Sequence, residues 1–228
     1  MRVSDAGYSR DLRSFNLAMR MLSHEARTRT ISAWTGLSAD RIRKLSKLQR
    51  RERPQKVLRR PPGPTPHQLA ALLTSPGLRT EADTIAGVCE MLKVLPTEPV
   101  ANAKSSLPNL ARGERLCAAL ELFQDFVPHA RLTFDQLVML LNNLAEGEQW
   151  AIARCTGCPA MVVADRLTLD RPLCEDCQHR TRAAKKAAVS KVNRSKVEKL
   201  SKAPEPDEQD PKGGVQLTLF DEAGKGSG

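Results

Sequence analysis

Apolar residues near the start of the chain recur at the spacing of an amphipathic helix. They follow one another at intervals of three and four positions, as Leu12, Phe15, Met19, Leu22 and Ala26. That spacing places them on one stripe, which is expected to face a core. A second helix is predicted over residues 26–35, with Ile31 and Trp34 as its core residues.

A glycine turn separates the second helix from a third. Gly36 supplies the turn, and the hydroxyl of Ser38 can accept a hydrogen bond from a free amide at the start of the next helix. The third helix is predicted from Ala39 to about Arg51. Its core-facing residues are expected to be Ile42, Leu45 and Leu48.

The outward face of the third helix is basic. Its candidate DNA-binding residues are Arg41, Arg43, Lys44, Lys47, Arg50 and Arg51. Helix, glycine turn and basic helix are typical of a helix-turn-helix unit, whose second helix enters the major groove. Arg43 and Lys47 lie centrally and could reach base edges, whereas Arg50 and Arg51 are expected at phosphates. A solvated basic helix in a helical bundle is the alternative.

Beyond a proline-rich break the chain returns to helical patterns. Residues 59–66 contain four prolines and a glycine, which cannot continue a helix. Further helices are predicted over residues 68–73, 81–95, 109–127 and 134–144. Thr133 with Gln136 is expected to form a capping box at the start of the last one. Cys89 and Cys117 fall at apolar helical positions and are predicted to be buried thiols.

Four of the six cysteines form two C-x-x-C pairs separated by fifteen residues. The predicted metal ligands are Cys155, Cys158, Cys174 and Cys177. This spacing is typical of a structural zinc site, in which four thiolates leave no open position for catalysis. The intervening loop is predicted to form a hairpin from residues 161–163 and 167–169. Disulfides or redox chemistry at these cysteines are the alternatives.

These patterns predict a mainly α-helical protein in four parts. A helix-turn-helix-like basic region is assigned to residues 1–60 and a helical middle to 61–149. A zinc-ribbon-like module with four cysteines is assigned to 150–180. A basic segment and a disordered acidic tail are assigned to 181–228.

Charge and composition narrow the class of partner. The chain has 228 residues and a formal net charge of +10, which favours a polyanion. No apolar run approaches the roughly 18 residues of a membrane span, and the start of the chain has no apolar signal segment. A cytoplasmic protein without membrane contact is therefore expected. No Ser/His/Asp set, phosphate loop or carboxylate pair stands out, so no enzymatic activity is expected.

The last part of the chain contains a basic segment and a short apolar motif. Residues 180–202 hold nine Lys or Arg and one Glu, and could form a helix on a nucleic-acid backbone or stay solvated. Gln216 to Phe220 reads QLTLF. It resembles the peptide with which bacterial replication and repair proteins dock onto the sliding clamp. A chance match of five residues is the alternative.

The order of these motifs resembles the FlhC family of bacterial flagellar transcriptional activators. The resemblance covers about residues 10–190, and comprises LAMRML, ARTRTISAWTGLSADRIRKLSKLQR, the proline-rich break, both C-x-x-C pairs and RTRAAKK. It implies one structural Zn²⁺ held by the four cysteines. It also implies a hetero-oligomer with an FlhD-type partner that binds double-stranded DNA at flagellar class II or related promoters and activates RNA polymerase.

A zinc-containing adaptor is the rival interpretation. In that case the zinc module and the clamp-like peptide dock on replication or repair proteins. The basic regions then bind DNA without sequence preference.

Overall fold

Helices form most of the chain that the structure describes. The computed structural model describes residues 5–52 and 68–186. The helices before the gap are α1 (Asp5–Ser23), α2 (Thr28–Thr35) and α3 (Ala39–Glu52). After it come α4 (Leu69–Leu73), α5 (Pro76–Met91), α6 (Ala103–Ser106), α7 (Leu110–Phe126) and α8 (Phe134–Glu146), then β1 (Trp150–Arg154) and β2 (Met161–Asp165), and finally α9 over residues 175–186. The predicted mainly α-helical fold is confirmed.

Parts of the predicted organisation lie outside the described residues. They are the proline-rich break, the basic segment beyond residue 186, and the tail with Gln216–Phe220. In the part that is described, none of the helices combines the length and apolar character needed to cross a membrane.

Helix α1 buries two adjoining faces rather than one stripe. Leu22 is buried as predicted, but Leu12 is 48% exposed. The deepest residues are instead Leu17, Ala18 and Met21. Because α1 packs against three helices, α2, α3 and α7, its apolar surface must be wider than the predicted stripe.

Two matched ion pairs align α1 with α7. Arg13 Nη2 lies 2.6 Å from Glu114 Oε2. Seven residues further along both helices, Arg20 Nη2 lies 2.6 Å from Glu121 Oε2. Pairs this accessible to solvent contribute little to stability. Their equal spacing on both helices means that α1 and α7 run parallel in a single register.

The turn between α2 and α3 confirms two predictions. Gly36 has a φ of +72°, in the left-handed region that glycine adopts readily. The amide of Arg41 donates a hydrogen bond to Ser38 Oγ at 3.4 Å, so Ser38 caps α3. Helices α2 and α3 pack against each other and against α1. The predicted order of helix, glycine turn and basic helix is therefore present.

The buried face of α3 differs from the predicted one. Ile42 is fully buried and Leu45 is partly buried, as expected, but Leu48 is 50% exposed. The place of Leu48 is taken by two polar residues, Ser46 and Gln49, each 5% exposed. Gln49 Nε2 donates to Ser23 Oγ of α1 at 2.7 Å, and this bond allows a polar side chain to face the core.

The helices after the gap largely follow the prediction. Thr133 and Gln136 form the expected capping box at the start of α8. Helix α5 begins at Pro76, ahead of the predicted start at residue 81, and the four-residue α6 was not predicted. Cys89 and Cys117 are buried, and burial raises the pKa of each thiol to about 12.

One apolar core extends from α1 to β2. It includes Leu17 of α1, Leu72 of α4, Leu120 of α7, Leu140 of α8 and Val163 of β2. The helices on both sides of the undescribed residues 53–67 thus bury apolar faces in the same core. Val163 brings the strand that follows the first cysteine pair against that core.

Candidate metal centre and basic helix

The four predicted ligand cysteines come together. Their sulfur atoms all lie within 4.8 Å of one another, and the sulfurs of Cys158 and Cys174 are 3.5 Å apart. None of the four is in a disulfide. Four sulfurs at about 2.3 Å from a central Zn²⁺ would be about 3.8 Å from each other, which matches this spread. The cluster therefore has the size and donor set of a four-thiolate metal site.

The first cysteine pair lies in the turn of the β-hairpin. Strands β1 and β2 are antiparallel with Ile152 opposite Val163, and the amide of Cys155 donates to the carbonyl of Ala160 at 2.8 Å. A tight hairpin turn places Cys155 and Cys158 on the same side. The pair is thus positioned by local strand pairing.

The predicted hairpin between residues 161–163 and 167–169 is wrong. The second of these runs is not a strand, and both Leu167 and Leu169 are exposed. Asp165 holds this run in a turn, because its Oδ1 accepts from the amide of Leu167 at 2.9 Å and its carbonyl accepts from Thr168 Oγ1 at 3.1 Å. The true partner of β2 is β1, whose buried Trp150 packs on the core.

The second cysteine pair lies at the start of α9. The amide of Gln178 donates to the carbonyl of Cys174 at 2.9 Å, which is the first turn of that helix. The amide of Thr156, inside the first pair, donates to the carbonyl of Pro172 at 2.9 Å. This bond ties the hairpin turn to the chain just before the second pair.

Gly157 is required by close packing between the two pairs. A Cβ at this position would lie 2.9 Å from the sulfur of Cys177 and 3.3 Å from its Cβ. The backbone of Gly157 is not among the described residues with positive φ, so its turn does not itself demand glycine. Lack of space, rather than the backbone conformation, therefore requires glycine at this position.

The surroundings of the cluster lower the pKa of one thiol and raise the pKa of another. The amides of Cys174 and Gly157 donate to Cys155 Sγ at 3.3 and 3.4 Å, and they lower the pKa of that thiol to about 6. Burial, with the neighbouring thiols, raises the pKa of Cys177 to about 12. Arg180 Nη2 lies 3.1 Å from Cys177 Sγ, and its positive charge opposes part of this rise in pKa. A cation at the centre would bring all four groups to the thiolate form.

The hairpin is attached to the helices through a buried carboxylate. Asp83 of α5 is 7% exposed, and its Oδ1 accepts from the amide of Val163 at 2.7 Å. This amide is on the outer edge of β2, so Asp83 satisfies a donor that the two-stranded sheet leaves unpaired. Sequence reasoning missed Asp83. The sequence feature that could have revealed it is the position of an aspartate among the apolar residues Ala82, Ile85 and Ala86 of one helix.

The six candidate DNA-binding residues all lie on α3 and are all exposed. The guanidinium of Arg41 lies over the ring of Phe15, 5.3 Å from its centroid, and Arg43 Nη1 lies 2.7 Å from Asp40 Oδ1. In the described part of the chain, no carboxylate pairs with the remaining four, Lys44, Lys47, Arg50 and Arg51. The outward face of α3 is therefore a row of solvated cations that an anion could reach.

Neither the models of protein families nor the curated proteins give a match to this chain. The features of this chain that indicate a function are therefore the cysteine cluster, the basic helix and the order of motifs along the sequence.

Proposed function

We propose that this protein binds double-stranded DNA through α3, and that a structural zinc ion stabilises the other end of its described fold. The observation that carries the proposal is the row of six exposed cations on α3, four of which pair with no carboxylate in the described part of the chain. Helices α1 and α2 pack against the other side of α3. An exposed helix of 14 residues is about 21 Å long and is thin enough to enter the major groove.

The positions of the cations along α3 suggest separate roles. Arg43 and Lys47 are one helical turn apart in the middle of the exposed face, so they are the proposed base-reading residues. Arg50 and Arg51 follow at the end of the helix and are proposed to meet phosphates. Arg41 is held over Phe15 and is better placed to meet the backbone beside α1 than to enter the groove.

Zinc is the proposed ion because of the ligand chemistry. Four cysteine sulfurs in a closed cluster suit Zn²⁺, and a closed site has no position for a reacting water. The ion would therefore stabilise the fold and take no part in a reaction. We propose a cytoplasmic protein, since reduced thiols are available there for metal binding.

The finer proposal is a transcriptional activator subunit. It rests on the order of the motifs, which resembles that of the FlhC family. On this basis the chain acts in a hetero-oligomer with an FlhD-type partner at flagellar class II or related promoters, where it activates RNA polymerase.

The test compares base-reading and phosphate-binding positions. Duplexes selected from a randomised pool by the intact protein, with and without an FlhD-type partner, serve as specific DNA, and the unselected pool serves as non-specific DNA. Arg43→Ala and Lys47→Ala should weaken specific binding about 5- to 150-fold, which is about 1–3 kcal/mol for each base contact, and change non-specific binding much less. Arg50→Ala should weaken both equally, because phosphates carry no sequence information.

Arg115 provides the matched control. It is an exposed arginine on α7, so Arg115→Ala removes the same charge away from α3. If Arg115→Ala weakens DNA binding as much as Lys47→Ala does at the same salt concentration, net charge alone explains binding, and α3 is not the recognition helix.

The adaptor remains a second candidate because of the QLTLF motif at Gln216–Phe220. Deleting residues 203–228 separates the two functions. An activator keeps its binding to selected DNA after the deletion. An adaptor loses co-elution with a purified bacterial sliding clamp, and a full-length chain that never co-elutes with the clamp excludes this role for the motif.

A further inference from the structure

The four cysteines of the metal cluster differ in how far solvent reaches them. Cys158 and Cys174 are partly exposed, whereas Cys155 and Cys177 are only 7% and 4% exposed. The two partly exposed residues belong to different C-x-x-C pairs, one in the hairpin turn and the other at the start of α9. A reactive solute in water therefore meets one sulfur of each pair first.

The two buried sulfurs also have hydrogen-bond donors of their own. Cys155 Sγ accepts from two backbone amides, and Arg180 Nη2 lies 3.1 Å from Cys177 Sγ. Among the residues that the structure describes, no amide or guanidinium donates to Cys158 Sγ. Donors stabilise the charge of a thiolate and so weaken it as a nucleophile. Cys158 is therefore the sulfur best placed to react with a solute.

A second sulfur, from the other pair, lies beside Cys158. Cys158 Sγ and Cys174 Sγ are 3.5 Å apart, and a disulfide bond is about 2.05 Å long, so an approach of about 1.5 Å would join them. That bond would connect the hairpin turn to the start of α9. A disulfide within either C-x-x-C pair would form no such cross-link.

We propose that Cys158 is a site of reversible oxidation by hydroperoxides, and that Cys174 completes a disulfide with it. The thiolate of Cys158 attacks the peroxide and breaks its O–O bond, which leaves a sulfenic acid on Cys158. The departing oxygen takes a proton from water and becomes water or an alcohol. The thiolate of Cys174 then attacks the sulfur of Cys158, so that the S–S bond forms and hydroxide leaves. The two sulfurs lose two electrons in total, and the peroxide gains them.

This oxidation and metal binding exclude each other. A disulfide sulfur has no negative charge to offer a cation, and the two remaining thiolates do not make a closed zinc site, so the cluster loses its ion. The cross-link keeps the hairpin turn and the start of α9 together, and reduction then restores four thiolates already in place. The inference rests on the zinc ion proposed above and is independent of DNA binding by α3.

The test treats the zinc-loaded, full-length protein with one equivalent of hydrogen peroxide. Free thiols are blocked at once with N-ethylmaleimide, and the disulfide is located by mass spectrometry of the digested protein. We expect a disulfide between Cys158 and Cys174, zinc release in the same proportion, and reversal of both by dithiothreitol with added zinc. Cys89 and Cys117 are buried in the main core, so they are internal controls and should stay reduced.

Two matched variants test whether Cys158 reacts first. An imidazole can hold zinc in place of a thiolate, so histidine is the replacement. Cys158→His should release zinc to peroxide at least tenfold more slowly than the wild type. Cys155→His should release it at the wild-type rate, because both proposed reacting sulfurs remain. If either variant holds no zinc, the disulfide found in the wild type decides alone.

The proposal is overturned if peroxide joins the cysteines within a pair, or if it forms no disulfide in the cluster. It is equally overturned if both variants hold zinc and Cys158→His releases it as fast as Cys155→His. A purified protein without zinc would instead contradict the structural role of the metal. The cross-link can be mapped without the ion, so the two failures are distinguishable.

Discussion

The helical end and the cysteine end of this protein are stabilised by different means. Around α1, α2 and α3, large side chains such as Met21, Ile31 and Ile42 are fully buried in the main core. Around the cysteines, among the residues that the structure describes, the fully buried members of the separate cluster are Cys155, Val162 and Cys177. Apolar burial can hold the first region by itself. The second has little buried apolar surface of its own, and it depends on its sulfurs, on Asp83 and on the anchoring of Trp150 and Val163 in the main core.

The largest effect is expected when the sulfur cluster is broken. Cys155→Ser should reduce bound zinc from one ion per chain to nearly none and unfold the hairpin locally, because a structural zinc site can supply on the order of 10 kcal/mol. Metal content and hydrogen exchange of the Val162 and Val163 amides measure this. Far-UV circular dichroism should change little, since the helices retain their core.

Cys89→Ala is the matched control for this experiment. Cys89 is a buried thiol of α5 outside the cluster, so its variant should retain the ion. The contrast between the two regions fails if Cys155→Ser keeps its zinc, or if chelation melts the helices together with the hairpin.

The converse experiment destabilises the helical end and leaves the metal in place. Ile42 is fully buried, so Ile42→Ala should lower the free energy of unfolding by about 2–5 kcal/mol. Leu48 is half-exposed, so Leu48→Ala should change it by no more than about 0.5 kcal/mol. Urea unfolding gives both values, and zinc content should stay constant. If both variants lost the same free energy of unfolding, Leu48 would be a core residue of α3, as the sequence predicted.

The same two regions show which features a sequence can predict. The clustering of the four cysteines, the glycine turn at Gly36 and the capping box at Thr133 were predicted correctly. Each depends on residues a few positions apart, or on a spacing that metal coordination restricts strongly. Such features are determined by residues that are close together in the sequence, so they can be predicted from it.

Features that depend on distant neighbours were predicted less well. Leu48 satisfies the helical pattern, but Gln49 is buried in its place because Ser23, on another helix, offers it a hydrogen bond. The run at residues 167–169 is β-prone, but β1 is the strand that packs against the core beside β2. Neither segment contains information about the distant residues that determine whether its side chains are buried or its backbone pairs as a strand.

Asp83 connects the two regions, and it provides a smaller, pH-dependent test. Burial raises the pKa of its carboxyl from 3.8 to about 6, and Glu175 adds to the rise, while the Val163 amide and Arg79 oppose it. The folded protein therefore holds this proton more tightly than the unfolded chain. Its contribution to stability is greatest below about pH 4 and is lost as the pH rises to about 6.

Asp83→Asn should remove that loss, because an amide oxygen can accept from Val163 without a buried charge. We expect the variant to be more stable than the wild type at pH 7, by on the order of 2 kcal/mol, and to equal it near pH 4. Comparing the two proteins at each pH cancels the release of metal in acid, since both have the same cysteines. If Asp83→Asn is instead less stable at pH 7, the charged carboxylate itself anchors the hairpin, and the two regions are joined by electrostatic attraction rather than by one neutral hydrogen bond.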